Sequence, residues 1–393
     1  MNFLHTDKRR TLIFILISNF LLYFGFQVWR TMINNFAVEE IGIGPASIGG
    51  LQALREVPGL MGFLLGFLAL FVSEVRIMSL SVILLGAGIF LTGQANDIPF
   101  LFVSAVVMSF GFHFFVPCND GVILMAIEKE QTPKTLGQLR SLGAIAALTG
   151  TVMVYLLAEG WGYRTLFMVL GGLIALGGFL LLPLGGIQEG LPQRRQVILR
   201  RRYWLYYVLA FLMGSRRHIF TTFAIFLLVR EHGISVQTTA ILFIINSVVN
   251  VYALQLVGKL VGRLGERLML SIAFGALGFI FLGYAFVTYL PLLFVFFVLD
   301  NILFGFNLAL TTYFQKIAIT QEEITSNLAV QQSINHIAAV VVPVIGGTAW
   351  ELFGSQAPFL AGVGIALASL VLVQFMRVPA KTPSVVVTSG TKV

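Results

Sequence analysis

Charged side chains are scarce in this chain of 393 residues. Asp, Glu, Lys and Arg make up 11% of it and hydrophobic residues 58%, whereas soluble domains carry about 25% charged residues. So small a polar fraction cannot cover the surface of a water-soluble core of this size. The composition therefore excludes a soluble globular protein and predicts that lipid surrounds the fold.

Several functional motifs are also missing. The single cysteine, Cys118, excludes an intrachain disulfide. No phosphate-binding loop of the G-x-x-x-x-G-K-[ST] type occurs, so we do not expect the chain to use ATP. Neither a catalytic motif nor a compactly spaced pair of metal ligands is present. We therefore expect no enzyme, no cofactor and no resident metal.

Long apolar stretches are abundant instead, and twelve of them approach or exceed the roughly 20 residues that a membrane-spanning helix needs. Gly, Pro and charged clusters separate them. Their predicted bounds are 11–35, 46–71, 76–95, 99–126, 135–157, 163–185, 203–229, 235–259, 267–288, 291–317, 323–350 and 356–376. The predicted fold class is an all-α polytopic membrane protein with twelve transmembrane helices.

Basic residues are distributed unevenly around these spans. If both termini are cytoplasmic, Arg164 and Arg230 are the basic residues of the outer loops, and the others outside the spans lie on the cytoplasmic side. This asymmetry follows the positive-inside rule and predicts the orientation. It also explains the net charge of +8 without nucleic-acid binding. We expect a monomer in the inner (plasma) membrane of a bacterium, in contact with membrane lipids.

The second half of the chain repeats the first at a shift of 192 residues, which aligns Gly66 with Gly258 and Glu74 with Glu266. We predict two pseudo-symmetric six-helix bundles, 1–187 and 203–377, joined by a basic cytoplasmic linker, 188–202, and followed by a disordered tail, 378–393. Membrane proteins built from two repeats place a site at the interface of the repeats. This layout predicts a transporter.

The segment Gly258–Arg267 resembles the best-known motif of the major facilitator superfamily, G-x-L-A-D-R-x-G-R-R/K, with Gly262 in place of the Asp. The equivalent segment of the first half is degenerate. The resemblance implies the fold of that family, secondary transport by alternating access, and a central cavity lined by the first, fourth, seventh and tenth helices. It also implies that motif residues act in gating at the cytoplasmic side: Gly258, Arg263, Gly265 and Arg267.

Four arginines lie inside predicted spans, where an unpaired charge costs about 2.5–3.5 kcal/mol or more. Two carboxylates, Glu56 and Asp300, lie at a similar depth and leave a surplus of about two positive charges. An anionic or zwitterionic organic substrate would balance that surplus. The predicted substrate-binding residues are Arg30, His113, Arg216, Arg217, Asp300, Asn307, Gln331 and Asn335.

A structural alternative stays open, in which Asp300 pairs with Arg216 or Arg217, and Arg30 pairs with Glu56. Neighbouring residues on a helix point about 100° apart, so Arg216 and Arg217 cannot both face the cavity squarely. The sequence does not distinguish between the two.

Several buried titratable residues favour proton coupling, because imidazole titrates near neutral pH. The predicted proton-coupling residues are Glu56, His218, Asp300 and His336. Asp120 and Arg140 lie at equal depth on neighbouring spans and are expected to form a gating contact. Two other cargoes stay open, a metal ion held by His113 and Cys118 among others, or an amphipathic drug or lipid. A membrane sensor that transports nothing is the alternative from another functional class.

Overall fold

The structure, a computed structural model, describes residues 2–126, 132–184 and 198–377. Within them the chain forms thirteen α helices and no strand: α1 (Asn2–Glu39), α2 (Pro45–Leu60), α3 (Phe63–Leu68), α4 (Glu74–Gln94), α5 (Ile98–Ala126), α6 (Thr132–Leu181), α7 (Trp204–His232), α8 (Val236–Leu264), α9 (Glu266–Phe286), α10 (Leu290–Phe304), α11 (Asn307–Ile317), α12 (Gln321–Phe353) and α13 (Ala357–Val373). Nine helical segments of this described part are long and apolar enough to cross a membrane. The prediction of an all-α fold is confirmed.

The repeat predicted from the sequence is present in the helix boundaries. Helix α4 begins at Glu74 and α9 begins at Glu266, and each contains 21 residues. Helices α5 and α10 begin at Ile98 and Leu290, which are related by the same shift. The aligned carboxylates Glu74 and Glu266 therefore mark equivalent helix starts in the two halves.

A glycine with positive φ occupies the same repeat position in each half. Gly162 has φ 73° and Gly354 has φ 93°, a conformation that side chains with a Cβ rarely adopt. These residues let the chain turn between consecutive spans. The predicted span 135–157 and most of the span 163–185 lie in α6, which ends at Leu181 and is interrupted by the non-helical backbone of Gly162.

Two predicted spans each consist of two helices. The span 46–71 consists of α2 and α3, and the span 291–317 consists of α10 and α11. The first break follows Pro58-Gly59 and the second lies at Gly305. Proline removes a backbone donor and glycine weakens a helix, which explains why both breaks occur where they do.

The two halves of the chain, α1–α6 and α7–α13, come into backbone contact between α2 and α12. A Cβ added at Gly49 would lie 2.1 Å from the carbonyl oxygen of Pro343, and one added at Gly347 would lie 2.3 Å from that of Pro45. Ordinary carbon contacts are about 3.5–4.0 Å. Glycine at both positions is therefore what permits the close approach.

Polar contacts join the halves at the same end of the molecule. Asn35 donates to the Ile234 carbonyl at 2.8 Å and accepts from Thr239 at 3.2 Å. Arg230 donates to the Ile43 carbonyl at 2.9 Å. These residues, with the contact of α2 and α12, define what we call the closed end.

At the opposite end the second half has a hydrophobic core of its own, which includes Tyr203, Phe274 and Phe314. Two ion pairs flank this core, Arg200 with Glu323 and Lys316 with Glu266, each at 2.5 Å. Both pairs lie within the second half.

The predicted linker is described only in its last residues. There the Ile198 backbone N–H donates to Ser326 Oγ at 2.7 Å, which fixes the entry of the chain against the start of α12. The predicted boundary at residues 187 and 188 and the tail 378–393 lie outside the described residues.

Candidate functional site

A buried ion pair joins α7 to α10. Arg216 Nη1 donates to Asp300 Oδ1 at 3.0 Å, and the two side chains are 1% and 7% exposed. Each charge alone would be expensive in so apolar an environment, and contact between them offsets part of that cost. Arg216 is therefore the partner of Asp300, as the structural alternative had it.

Arg217 faces a cavity of about 120 Å³ between α7, α10, α11 and α12. Its guanidinium lies over Phe304, 4.3 Å from the ring centre. Among the described residues no carboxylate pairs with it, because Asp300 is bound to Arg216. The cavity is also lined by four side-chain amides: Asn307, Gln331, Gln332 and Asn335. The structure thus brings Arg217 together with three other residues of the predicted binding set.

Arg30 of α1 lies over Phe243 of α8, with Cζ 4.9 Å from the ring centre. The expected pairing of Arg30 with Glu56 is wrong, because Arg55 holds that carboxylate at 2.7 Å. The charged groups that act on Arg30 are Arg217 and Arg55, and both repel it. A contact with an aromatic ring stabilises a guanidinium by about 0.5–2 kcal/mol but leaves its charge in place.

Glu56 of α2 is the centre of a polar cluster that connects the two halves. Arg55 donates to Glu56 Oε1 at 2.7 Å, and His336 Nδ1 lies 3.1 Å from Oε2. His113 Nε2 lies 3.8 Å from the same oxygen. The two imidazole centres are 5.1 Å apart, and His336 also contacts Gln332 at 3.3 Å. A carboxylate and two imidazoles are thus placed to share one proton.

Two predicted residues have surroundings that the sequence did not indicate. His113, expected beside the substrate, belongs to the Glu56 cluster. His218 of α7 is buried, interacts electrostatically with Glu56 and is hydrogen-bonded to Asn335, while its Nε2 has no hydrogen-bond partner among the described residues. His218 therefore lies between the Glu56 cluster and Arg217, its neighbour in the sequence.

The predicted gating pair Asp120 and Arg140 is exposed to the surroundings. Both residues interact electrostatically with Tyr23 of α1. No ion pair shorter than 4.0 Å joins Asp120 and Arg140 in the described chain. All three residues belong to the first half, so they do not connect the halves in this conformation.

The motif residues of the second half lie around the junction of α8 and α9. Gly258 and Arg263 belong to the last turns of α8, and Gly265, with φ 80°, connects the two helices. Arg267 donates to Gln374 Oε1 through Nε at 3.2 Å and Nη2 at 3.0 Å. Within the described residues none of these contacts reaches the first half.

The contacts of the closed end were not anticipated from the sequence. Arg230 was interpreted as a topology signal, and Asn35 was not singled out at all. A signal did exist, since Asn34-Asn35 is a pair of polar residues near the end of a mainly apolar helix. Polar side chains in such positions often bond between helices.

Metal binding finds no support in the geometry. In the parts of the chain that the structure describes, no group of three or more His, Cys, Asp or Glu could hold a metal ion. Cys118 is buried in α5.

Comparison with known proteins assigns the family. The family model for the Major Facilitator Superfamily matches residues 15–318 and, in a second match, residues 205–392. The chain belongs to this superfamily. It is therefore a multi-pass membrane transporter and not an enzyme. The resemblance carried by Gly258–Arg267 is confirmed at the level of the whole chain.

A human superfamily member is similar over part of the chain. The "Major facilitator superfamily domain-containing protein 10" of Homo sapiens is 31% identical over 144 residues, which are 36% of this chain and 28% of the human protein. The match thus spans about a third of this chain and less than a third of its relative.

Solved structures of superfamily transporters share the fold at low identity. The nucleoside transporter NupG superposes with a TM-score of 0.76 and 17% identity, covering 93% of this chain and 98% of NupG. A bacterial homologue of the human lysosomal transporter Spinster, in an inward-facing and occupied conformation, superposes with a TM-score of 0.75 and 16% identity. The match covers 92% of this chain and 95% of that homologue. At these identities the likeness concerns the fold alone.

Proposed function

We propose that this superfamily member is a secondary active transporter of a small anionic organic solute, coupled to protons and working by alternating access. The proposed substrate class rests on the balance between arginines and carboxylates in the middle of the membrane. Asp300 and Glu56 are bonded to Arg216 and Arg55, whereas Arg30 and Arg217 contact aromatic rings. Uncompensated charge in a low dielectric is costly, so an anion that enters the cavity is favoured.

The proposed topology is the one expected from the sequence, with twelve spans in two six-helix bundles and both termini in the cytoplasm. With that orientation the closed end at Asn35 and Arg230 faces outward. The conformation is then inward-facing, and the exposed residues Asp120, Arg140 and Arg263 stand at the open side. Their proposed role is to connect the halves when the protein opens outward.

Proton coupling is proposed for the Glu56 cluster because it connects the halves through a titratable contact. Glu56 lies on α2 and His336 on α12, so a change in the charge of either residue alters the attraction between the halves. His113 lies close enough to exchange the proton with them. We place the transporter in a bacterial inner membrane, as a monomer surrounded by lipid.

The substrate class is tested with Arg217→Ala. We expect this variant to bind an anionic ligand about 10- to 100-fold more weakly, because a hydrogen bond to a charged group contributes about 1.5–3 kcal/mol. The measurement is a thermal-shift and binding screen of purified protein against carboxylates, each paired with its neutral amide, such as benzoate with benzamide. Arg202→Ala, at the exposed start of α7, is the matched control. Equal affinities of wild type and Arg217→Ala for every carboxylate would contradict the proposal.

Proton coupling is tested with His336→Gln, which removes the imidazole but leaves the pair of Arg55 and Glu56 in place. Wild-type proteoliposomes should take up a radiolabelled ligand from the screen faster under an inward-directed proton gradient. The variant should lose this stimulation while still exchanging ligand without a gradient. His232→Gln, in the last turn of α7, is the control. Gradient stimulation that persists in His336→Gln would exclude this residue as part of the proton path.

A further inference from the structure

Arg30 and Arg217 lie in two separate positions, each with its own aromatic partner. Arg30 of the first half rests on Phe243 of α8, and Arg217 of the second half rests on Phe304 of α10. The rings hold the guanidiniums apart on opposite halves, although their charges still repel each other electrostatically. The two rings belong to different helices, α8 and α10, and two negative charges are needed to neutralise the two guanidiniums.

The position of Arg30 contains a further unused donor. Asn246 is 5% exposed, and neither Nδ2 nor Oδ1 of its side chain has a hydrogen-bond partner among the residues that the structure describes. It follows Phe243 by three residues, so both lie on the same face of α8. A buried amide without a partner costs about 1–3 kcal/mol. An anion at Arg30 would accept a hydrogen bond from Nδ2 of this amide and remove the part of that cost due to the N–H group.

The position of Arg217 has donors of the same kind. Asn307, Gln331 and Asn335 line the cavity beside the guanidinium. A guanidinium surrounded by amide N–H groups matches a carboxylate, which accepts several hydrogen bonds at once. The two positions are therefore chemically alike, and each is suited to one carboxylate.

Among the residues that the structure describes, the two carboxylates of this region are already paired and do not offer a counter-charge to an ammonium group. Asp300 is bound to Arg216, and Glu56 is bound to Arg55 and His336. The faces of Phe243 and Phe304, which could attract a cation, already carry guanidiniums. A zwitterionic substrate would bring a positive charge to a site that already has two in excess.

From this arrangement, and resting on the proposed function, we infer that the substrate is a dianion with two separated negative groups, such as a dicarboxylate. Arg30 with Asn246 receives one group, and Arg217 with its amide neighbours receives the other. Because Arg30 and Arg217 belong to different halves of the chain, the substrate connects the halves while it is bound. An anion with a single charged group satisfies one position and leaves the other uncompensated.

The experiment compares dicarboxylates from malonate to suberate with their monomethyl and dimethyl esters, using purified full-length protein and proteoliposomes. One chain length should bind at least about tenfold more tightly than its monomethyl ester, which corresponds to about 1.4 kcal/mol for the second charge. Asn246→Asp places a negative charge beside Arg30 at almost constant shape. In this variant, and in Arg30→Gln, the dicarboxylate should lose its advantage over the monomethyl ester.

The outcomes separate this inference from the proposed function. Equal binding of a dicarboxylate and its monomethyl ester, with weaker binding of the dimethyl ester, would overturn the dianion but leave an anion transporter. Preference for the dimethyl ester, or no binding by any member of the series, would count against both. An advantage of the dicarboxylate that survives Asn246→Asp would overturn the assignment of Arg30 and Asn246 as the second position.

Discussion

Replacing Arg216 by alanine should lower the free energy of unfolding by about 3–5 kcal/mol, because it leaves Asp300 as a buried carboxylate without its partner. The pair is almost completely buried, and Asp300 has no other ion-pair partner among the described residues. A shift of this size is a large fraction of the total stability of a protein. It should appear as a marked fall in the melting temperature of the purified protein in detergent.

The adjacent arginine provides the matched comparison. Among the described residues no carboxylate lies within 4.0 Å of Arg217, which interacts with Glu56 and Asp300 only at longer range. We therefore expect Arg217→Ala to preserve the melting temperature while binding is lost. The double variant Arg216→Met with Asp300→Leu should recover most of the stability lost in Arg216→Ala, since apolar residues often replace a buried ion pair without cost. Equal destabilisation by Arg216→Ala and Arg217→Ala would show that the two residues have equivalent environments, against the geometry described above.

Adding one methyl group at Gly49 should prevent the closed end from forming. The new Cβ would lie 2.1 Å from the Pro343 carbonyl oxygen, so α2 and α12 would have to separate by more than about 1 Å to reach normal contact. We expect Gly49→Ala to abolish transport and to open this end to water. The same argument applies to Gly347→Ala, where the obstacle is the Pro45 oxygen.

The opening can be measured with a cysteine at Val236, which is 3% exposed at the start of α8. In a Cys118→Ser background, a membrane-impermeant maleimide should label Val236→Cys slowly in the otherwise wild-type protein and much faster together with Gly49→Ala. Gly364→Ala is the control, because a Cβ there meets no atom within 4 Å. Unchanged labelling and transport in Gly49→Ala would mean that the halves do not need this contact to close.

The fold could be predicted from the sequence where the pattern is local. Apolar length and the shift of 192 residues located most helices, and the shared boundaries of α4 and α9 reproduce that repeat. Pro58-Gly59 indicates the bend before Met61, whereas the break at Gly305 is not predictable because apolar composition continues through it. Hydrophobicity predicts which residues lie in lipid, but it does not predict where the backbone hydrogen bonds of a helix end.

The site was predictable in its composition but not in its pairing. Counting charges identified a surplus of two arginines, and the structure leaves the same number without carboxylates. The sequence could not assign partners, because Arg216 and Arg217 differ only in the direction in which they leave α7. The pairing of Glu56 with Arg55, its neighbour in the chain, depends on side-chain conformations that no spacing rule supplies.

The glycine contact between α2 and α12 also sets the scale of motion in the molecule. Helix α12 contains 33 residues, and its first residue lies roughly 36 Å along the axis from the contact at Pro343 and Gly347, at 1.5 Å per residue. The helix therefore acts as a lever with its fulcrum near one end. A rotation of about 10° around that fulcrum displaces the far end by roughly 6 Å, which is wider than a carboxylate, while the glycine contact itself barely moves.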